Sequence, residues 1–256
     1  MIRDSLYFNY NAESSELYNI LNINLDSGML EEHFLPTRTI QEIKSLGNKF
    51  YFQGFEYEPI TIPITFAYDQ VFDDDMVRNT IQWLFKDYYC PLYFSENPTK
   101  IFYAVVTDDI KQFTNGMQEG YVTLNFRCNT FHAYSPVYLS DVYDLDTNTS
   151  SGTIIDFTNN GDVSLYPEIL LTKTIEDGNI SIINITNGGE EFIFTNIDTD
   201  EELYINNEKE IITTSKVDTY RYDNFNDNYL ECVTGINQLK ILGKCQIQFR
   251  WQCILL

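Results

Sequence analysis

The chain has 256 residues, 43% hydrophobic and 15% aromatic, enough for one large or two medium cores. It carries 38 acidic against 16 basic residues, a net charge of -22, which divides as -9 over residues 1–138 and -13 over residues 139–256. A field of that sign disfavours specific nucleic-acid binding and anionic membranes and favours basic partners or cations. No run approaches the ~18 apolar residues that a membrane helix needs, so no membrane insertion is expected.

Arg3, Asp4 and scattered Asn stand where a signal segment would be apolar, and a soluble protein made in the cytoplasm is the expectation. Five cysteines, Cys90, Cys128, Cys232, Cys245 and Cys253, form no CxxC pair. An odd number without paired spacing reads as buried free thiols in a reducing compartment.

In chain order, residues 5–10 and 18–25 are short strand candidates. Residues 28–50 lack clear alternation and read as a loop or extended arm, ending in a strand near Phe50-Tyr51-Phe52. Ile60, Ile62, Ile64 and Phe66 alternate with Thr61, Pro63 and Thr65. Pro63 has no N–H to give, which predicts an edge strand or a bulge. Asp73-Asp74-Asp75 then open a helix, since Asp caps and favours the first turn. Val77, Ile81, Leu84, Phe85 and Tyr88 form its apolar stripe, Trp83 stands at the border, and Pro91 is the expected stop. Strands follow at 92–94, 101–106 and 121–128. This half reads as an α+β domain with one helix packed on a sheet.

Residues 129–150 form a junction, broken by Pro136 and rich in Asp, Thr, Asn and Ser. Beyond it, short strands are predicted at 152–158, 164–171, 180–185, 191–195, 202–206, 209–214, 217–222, 229–233 and 237–242, with no helical stripe. The last strand, 245–253, sets Cys, Ile, Phe, Trp and Cys on one face and Gln, Gln, Arg and Gln on the other. Such a run of strands and turns is a sandwich or barrel. The fold class is therefore mainly β in two domains, residues 1–138 and residues 139–256.

No catalytic, cofactor-binding or metal-binding residues are assigned. His33 and His132 are far apart, and His132 reads as structural. Asp73-Asp74-Asp75 lacks the alternating ligands and glycine of a calcium loop. Asp108-Asp109 reads as a solvated turn. No Ser lies in a nucleophile elbow and no glycine loop cradles phosphate. No carboxylate pair stands out for glycoside hydrolysis. Trp83 and Trp251 read as packing residues before sugar platforms. The expectation is a protein that is not an enzyme.

The stretch Arg78-Asn79-Thr80-Ile81-Gln82-Trp83-Leu84-Phe85 resembles the helix of the distal tail proteins of long-tailed, non-contractile bacteriophages. Pro91–Phe94, Lys100–Val106, Gly120–Cys128 and Tyr134-Ser135-Pro136 continue the order of that family's N-terminal domain. Asn159–Asp162, Tyr166–Ile169, Asn184–Gly188 and Gly235–Leu239 resemble its C-terminal domain, while residues 26–58 match poorly. The resemblance implies a homohexameric ring of N-terminal domains with a channel for DNA passage, and galectin-like C-terminal sandwiches projecting from it. It implies as partners the major tail tube protein, the tape measure protein, the tail-tip or tail-associated protein and receptor-binding proteins. The place would be the tail tip of the virion, after assembly in the host cytoplasm. The rival reading is a non-catalytic carbohydrate-binding or adhesion module.

Overall fold

Alternating strands dominate the computed structural model, which describes residues 5–23, 36–115, 119–175 and 178–256. The chain separates into two compact units, one up to Tyr134 and one spanning Ser135–Leu255. Among the described residues both are built almost wholly of antiparallel strands, with a single α-helix in the first.

The first unit contains β1 (Phe8–Tyr10), β2 (Glu13–Ser14), β3 (Ile20–Asn22), β4 (Arg38–Lys44), β5 (Phe50–Tyr57), β6 (Thr61–Tyr68), helix α1 (Asp74–Leu84), β7 (Cys90–Phe94), β8 (Asn97–Thr114), β9 (Gly120–Cys128) and β10 (Ala133–Tyr134). The main sheet runs β2-β1-β7-β8-β9-β6-β3. Its inward parity carries Phe8, Tyr10, Ile64, Phe66, Leu92, Phe102, Leu124 and Phe126, all buried. Pro63 behaves as its chemistry demands. β3 pairs only with Phe66–Tyr68, so at Pro63 the described ladder has β9 on one side and no partner on the other. Asp108-Asp109 is not a turn. Asp108 sits inside β8 at φ 75°, where the register to β9 shifts, and its carboxylate accepts from Asn125 Nδ2 at 3.0 Å. It makes a β-bulge held by a local side-chain bond.

Helix α1 starts as expected: Asp73 Oδ1 accepts from Met76 N at 2.8 Å. It ends at Leu84, seven residues before Pro91, which belongs to β7. Its buried face is Thr80, Trp83 and Leu84, whereas Ile81, Phe85 and Tyr88 are exposed. The stripe read in the sequence is real, but only its Leu84 side faces the sheet. Trp83, expected at the border, is the anchor. Its Nε1–H donates to the Tyr10 carbonyl at 2.9 Å, and its ring stacks on Tyr18 at 4.4 Å and Phe8 at 5.5 Å.

The predicted loop or arm at 28–50 is corrected in part. Residues 24–35 lie outside the described residues, and β4 and β5 form a two-stranded hairpin of their own, closed by Ser45 N–H to Lys49 O at 2.8 Å.

The second unit contains β11 (Tyr138–Leu139), β12 (Tyr143–Asp144), β13 (Thr153–Asn159), β14 (Glu168–Lys173), β15 (Ile180–Asn184), β16 (Glu191–Phe194), β17 (Glu202–Asn206), β18 (Ile211–Thr214), β19 (Gly235–Leu242), β20 (Cys245–Trp251) and β21 (Ile254–Leu255). Two antiparallel sheets, β11-β20-β14-β17-β18 with β12 on β20, and β13-β19-β15-β16, share one core. That is a β-sandwich. Cys245, Ile247 and Phe249 of β20 point into the core and Trp251 packs at its margin on Phe157, as the alternation requires. Gly243 makes the β19–β20 turn at φ 92°, where a Cβ would lie 2.4 Å from the Asn179 carbonyl oxygen.

The predicted strands at 217–222 and 229–233 are not strands. Side chains hold these segments instead. Asn184 donates to the Glu231 carbonyl at 2.8 Å, Asn237 donates to Val233 O at 2.7 Å, and Asn207 accepts from Leu230 N at 3.0 Å. Residues 217–222 are pinned by Arg221, whose guanidinium meets the fully buried Glu201 carboxylate at 2.6 and 2.8 Å. Burial alone raises the Glu201 pKa, but hydrogen bonds from Arg221, Thr214 and the Asp198 N–H outweigh it and hold the carboxyl below its ordinary value. All five cysteines are buried and free; burial pushes the thiols of Cys128, Cys232 and Cys245 up to about 12.

Two predictions follow from these contacts. Trp83→Ala empties a packed aromatic site and removes the indole's bond to the Tyr10 carbonyl, so it destabilises the first unit by about 3–5 kcal/mol in urea unfolding, whereas Arg78→Ala on the exposed face stays within about 0.5 kcal/mol. Glu201 has a lowered folded pKa, so its contribution is present above the unfolded carboxylate pKa and is lost as pH falls through the folded value. Glu201→Gln therefore costs the second unit about 2 kcal/mol at neutral pH, less than the ~3–5 of a fully buried pair because Arg221 keeps other partners. The acid-side drop of the urea midpoint becomes shallower in that variant.

Candidate functional site

Exposed apolar side chains, not clustered polar ones, distinguish the surface of this chain. Among the described residues no group of three or more His, Cys, Asp or Glu is placed to hold a metal ion. His132 is packed between rings. Its Nδ1 lies 3.0 Å from Thr130 Oγ1, Tyr134 and Phe131 pack on it at 4.8 and 5.1 Å, and burial lowers its pKa. His33 lies outside the described residues. Neither tryptophan offers a sugar platform: Trp83 is 3% exposed, and Trp251 packs on Phe157 and Tyr138. Asp73, Asp74 and Asp75 are exposed at the helix start, with Asp73 spent on the cap.

Two apolar surfaces stand out in the first unit. The first is a groove of about 290 Å³ between α1 and the sheet. Ile81 and Phe85 of the helix form one wall, Val106, Ile110 and Val122 of β8 and β9 the other, with Phe66 and Leu124 beneath. Phe85 is 78% exposed at the lip. The groove exists because Trp83 and Leu84 turn the helix so that Ile81 and Phe85 stand beside the sheet instead of on it.

The second is the β4–β5 hairpin. Every residue of both strands is exposed except Gly54, which is half-buried. Register places Arg38, Ile40, Glu42 and Lys44 opposite Tyr57, Phe55, Phe52 and Phe50, so these eight share one face. Ring contacts agree. Phe52 meets Phe55 edge-on at 5.0 Å, the Arg38 guanidinium lies 4.2 Å over Phe55, and Lys44 Nζ lies 5.9 Å from the Phe50 ring. At its base Tyr57 stacks on Phe131 at 4.2 Å. The hairpin carries Arg38, Lys44 and Lys49 against Glu42 and Glu56, so it is locally basic in a chain of net charge -22.

Sequence reasoning missed both. In β5 the ladder passes over Gln53 between Gly54 and Phe52, so Phe52 and Phe55, three apart, share a face and the alternation is broken. The run Phe50-Tyr51-Phe52 was the one visible signal. The helix stripe was visible, but nothing in its spacing tells a face that packs inward from one that waits for a partner.

Comparison with known proteins gives these surfaces a context. Residues 3–130 match the model of a phage tail protein N-terminal domain, and residues 139–251 that of a phage tail C-terminal domain. The SPbeta prophage-derived protein YomH of Bacillus subtilis (strain 168) is 32% identical over 253 residues, which is 98% of this chain and 98% of YomH. Among solved structures, the Dit protein (gp 19.1) of phage SPP1, described as a paradigm of the hub adsorption apparatus in phages infecting Gram-positive hosts, aligns at a TM-score of 0.69 with 13% identity, over 96% of this chain and 98% of that one. A chain of the phage P2 baseplate in its activated conformation with Ca aligns at 0.51 with 8% identity, over 91% and 90%. The resemblance to distal tail proteins read from the sequence thus has its counterpart in the fold. With both of its domain models matched in order, this chain belongs to the phage tail protein family.

Proposed function

We propose that the chain is a structural, non-enzymatic component of a phage tail tip, a hub subunit of the adsorption apparatus. The observation that carries this reading is the end-to-end likeness to SPP1 Dit, 96% of one chain on 98% of the other, in a chain whose family is a tail family. In this reading residues 1–138 form a homohexameric ring around a channel for DNA passage, and residues 139–256 form galectin-like sandwich domains. The ring joins the major tail tube and tape measure proteins to the tail-tip protein and holds receptor-binding proteins. Assembly takes place in the host cytoplasm. The net charge supports the channel role, because an acidic lumen lets DNA pass without sticking.

The second reading, a carbohydrate-binding module, draws on Tyr220, which is 84% exposed beside the Arg221 anchor. The mass of the purified protein in solution, with negative-stain images of the same sample, separates the two. A six-subunit ring with a central hole is the expected result. A monomer that binds glycans in a screen and loses them on Tyr220→Ala would transfer the assignment to the second reading.

A further inference from the structure

The hairpin of β4 and β5 is the least self-sufficient part of the described chain. A two-stranded hairpin alone is marginally stable in water, and this one has exposed side chains along nearly its whole length. At its base Tyr57 stacks on Phe131, in the loop between β9 and β10. Ile40, Phe50, Phe52 and Phe55 are 51, 59, 57 and 39% exposed. Together they offer on the order of 400 Å² of apolar surface. That is about half of the ~800 Å² each partner buries in a standard interface, before the stems of Arg38 and Lys44 are counted.

A surface of matching character lies on the same chain. The α1 groove is apolar, has room for aromatic side chains and is open at Phe85. Asp69, Asp73, Asp74, Asp75 and Asp87 lie at the two ends of α1 and are exposed, five carboxylates against the cations Arg78 and Lys86. The aromatic face of the hairpin carries Arg38 and Lys44 against one carboxylate, Glu42. Apolar meets apolar and base meets acid, and both halves are left uncovered in one chain.

We infer that the Phe50, Phe52 and Phe55 face of the hairpin docks into the α1 groove of a second copy of this chain, with Arg38 and Lys44 set against the aspartates beside that helix. The contact is head-to-tail, because each copy gives a hairpin and receives one. Such heterologous contacts close into rings when the rotation allows. The inference rests on the ring reading above and names the surfaces that would make the ring. A membrane is the less favoured occupant, since a body of net charge -22 is repelled by anionic lipid.

A mixing experiment with two full-length variants tests this. One carries Phe50→Ser, Phe52→Ser and Phe55→Ser on the hairpin; the other carries Ile81→Asp and Phe85→Asp in the groove. All five positions are exposed, so far-UV dichroism should match the unaltered protein, while thermal unfolding shifts down only by what loss of association removes. Each variant alone is expected to be monomeric in native mass spectrometry, with subunit affinity reduced roughly 30-fold or more. Mixed in equal amounts they should form a dimer and nothing larger, because the hairpin of one still fits the groove of the other. Rings that persist in either variant would overturn the inference and leave the ring reading standing. Unaltered protein that stays monomeric at every concentration would overturn both. Co-sedimentation of the unaltered protein with phosphatidylglycerol vesicles, lost in the hairpin variant whose rings persist, would assign the hairpin to a membrane instead.

Discussion

The rotation of α1 is set by the indole of Trp83. A buried indole N–H needs an acceptor, and the acceptor here is the Tyr10 carbonyl of β1, 2.9 Å away. Tyr18 and Phe8 hold the ring once it is there. With Trp83 fixed, a helical period of 3.6 residues leaves no freedom for the rest. Thr80 and Leu84 turn inward with it, and Ile81 and Phe85 must stand at the surface. The groove of the first unit is thus a consequence of one hydrogen bond and the helical repeat.

The two units solve different packing problems. The first leaves apolar surface uncovered, on the helix and on the hairpin. The second covers its core with two sheets and ties down long connections with polar side chains. Asn184, Asn207 and Asn237 hold residues 230–233 by bonding to backbone groups, and Glu201 with Arg221 holds the segment after β18. Each tie satisfies groups that would otherwise be buried without partners. A carboxylate as deeply buried as Glu201 is tolerable only because Arg221, Thr214 and the Asp198 N–H converge on it.

Legibility followed the period of the pattern. β6, β9, β19 and β20 could be read from the sequence because strict alternation places one parity in the core, and they were found within a few residues of their observed bounds. The cap at Asp73 was legible for a similar reason, since Asp before an amphipathic run has a local mechanism. Where side chains replaced ladders, the reading failed. Residues 229–233 contain Tyr, Leu, Cys and Val and look like a strand, yet their described ladder contact is a single bridge between Leu165 and Cys232. The asparagines that hold them lie up to 47 residues away in sequence, and no local pattern announces that. The hairpin failed for the opposite reason. It has the ladder, but a bulge interrupts its parity, and its aromatic face is not spent on a core within the chain.

Charge and hydrophobicity point the same way on the hairpin. A long uncovered aromatic face is an association hazard that chains reduce with charge or cover with a partner. Here Arg38 and Lys44 lie over Phe55 and Phe50, which limits promiscuous sticking and adds a cation to each ring face. In a chain with more than two acidic residues for each basic one, gathering three cations against two carboxylates on one arm gives that arm an orientation in the field of any acidic body. In the contact inferred between copies, long-range attraction between basic arm and acidic body would guide encounter, and the aromatic rings would supply the short-range contact that holds it. In that contact specificity and affinity would come from different residues of the same face, and neither would require the hairpin to be rigid before it docks.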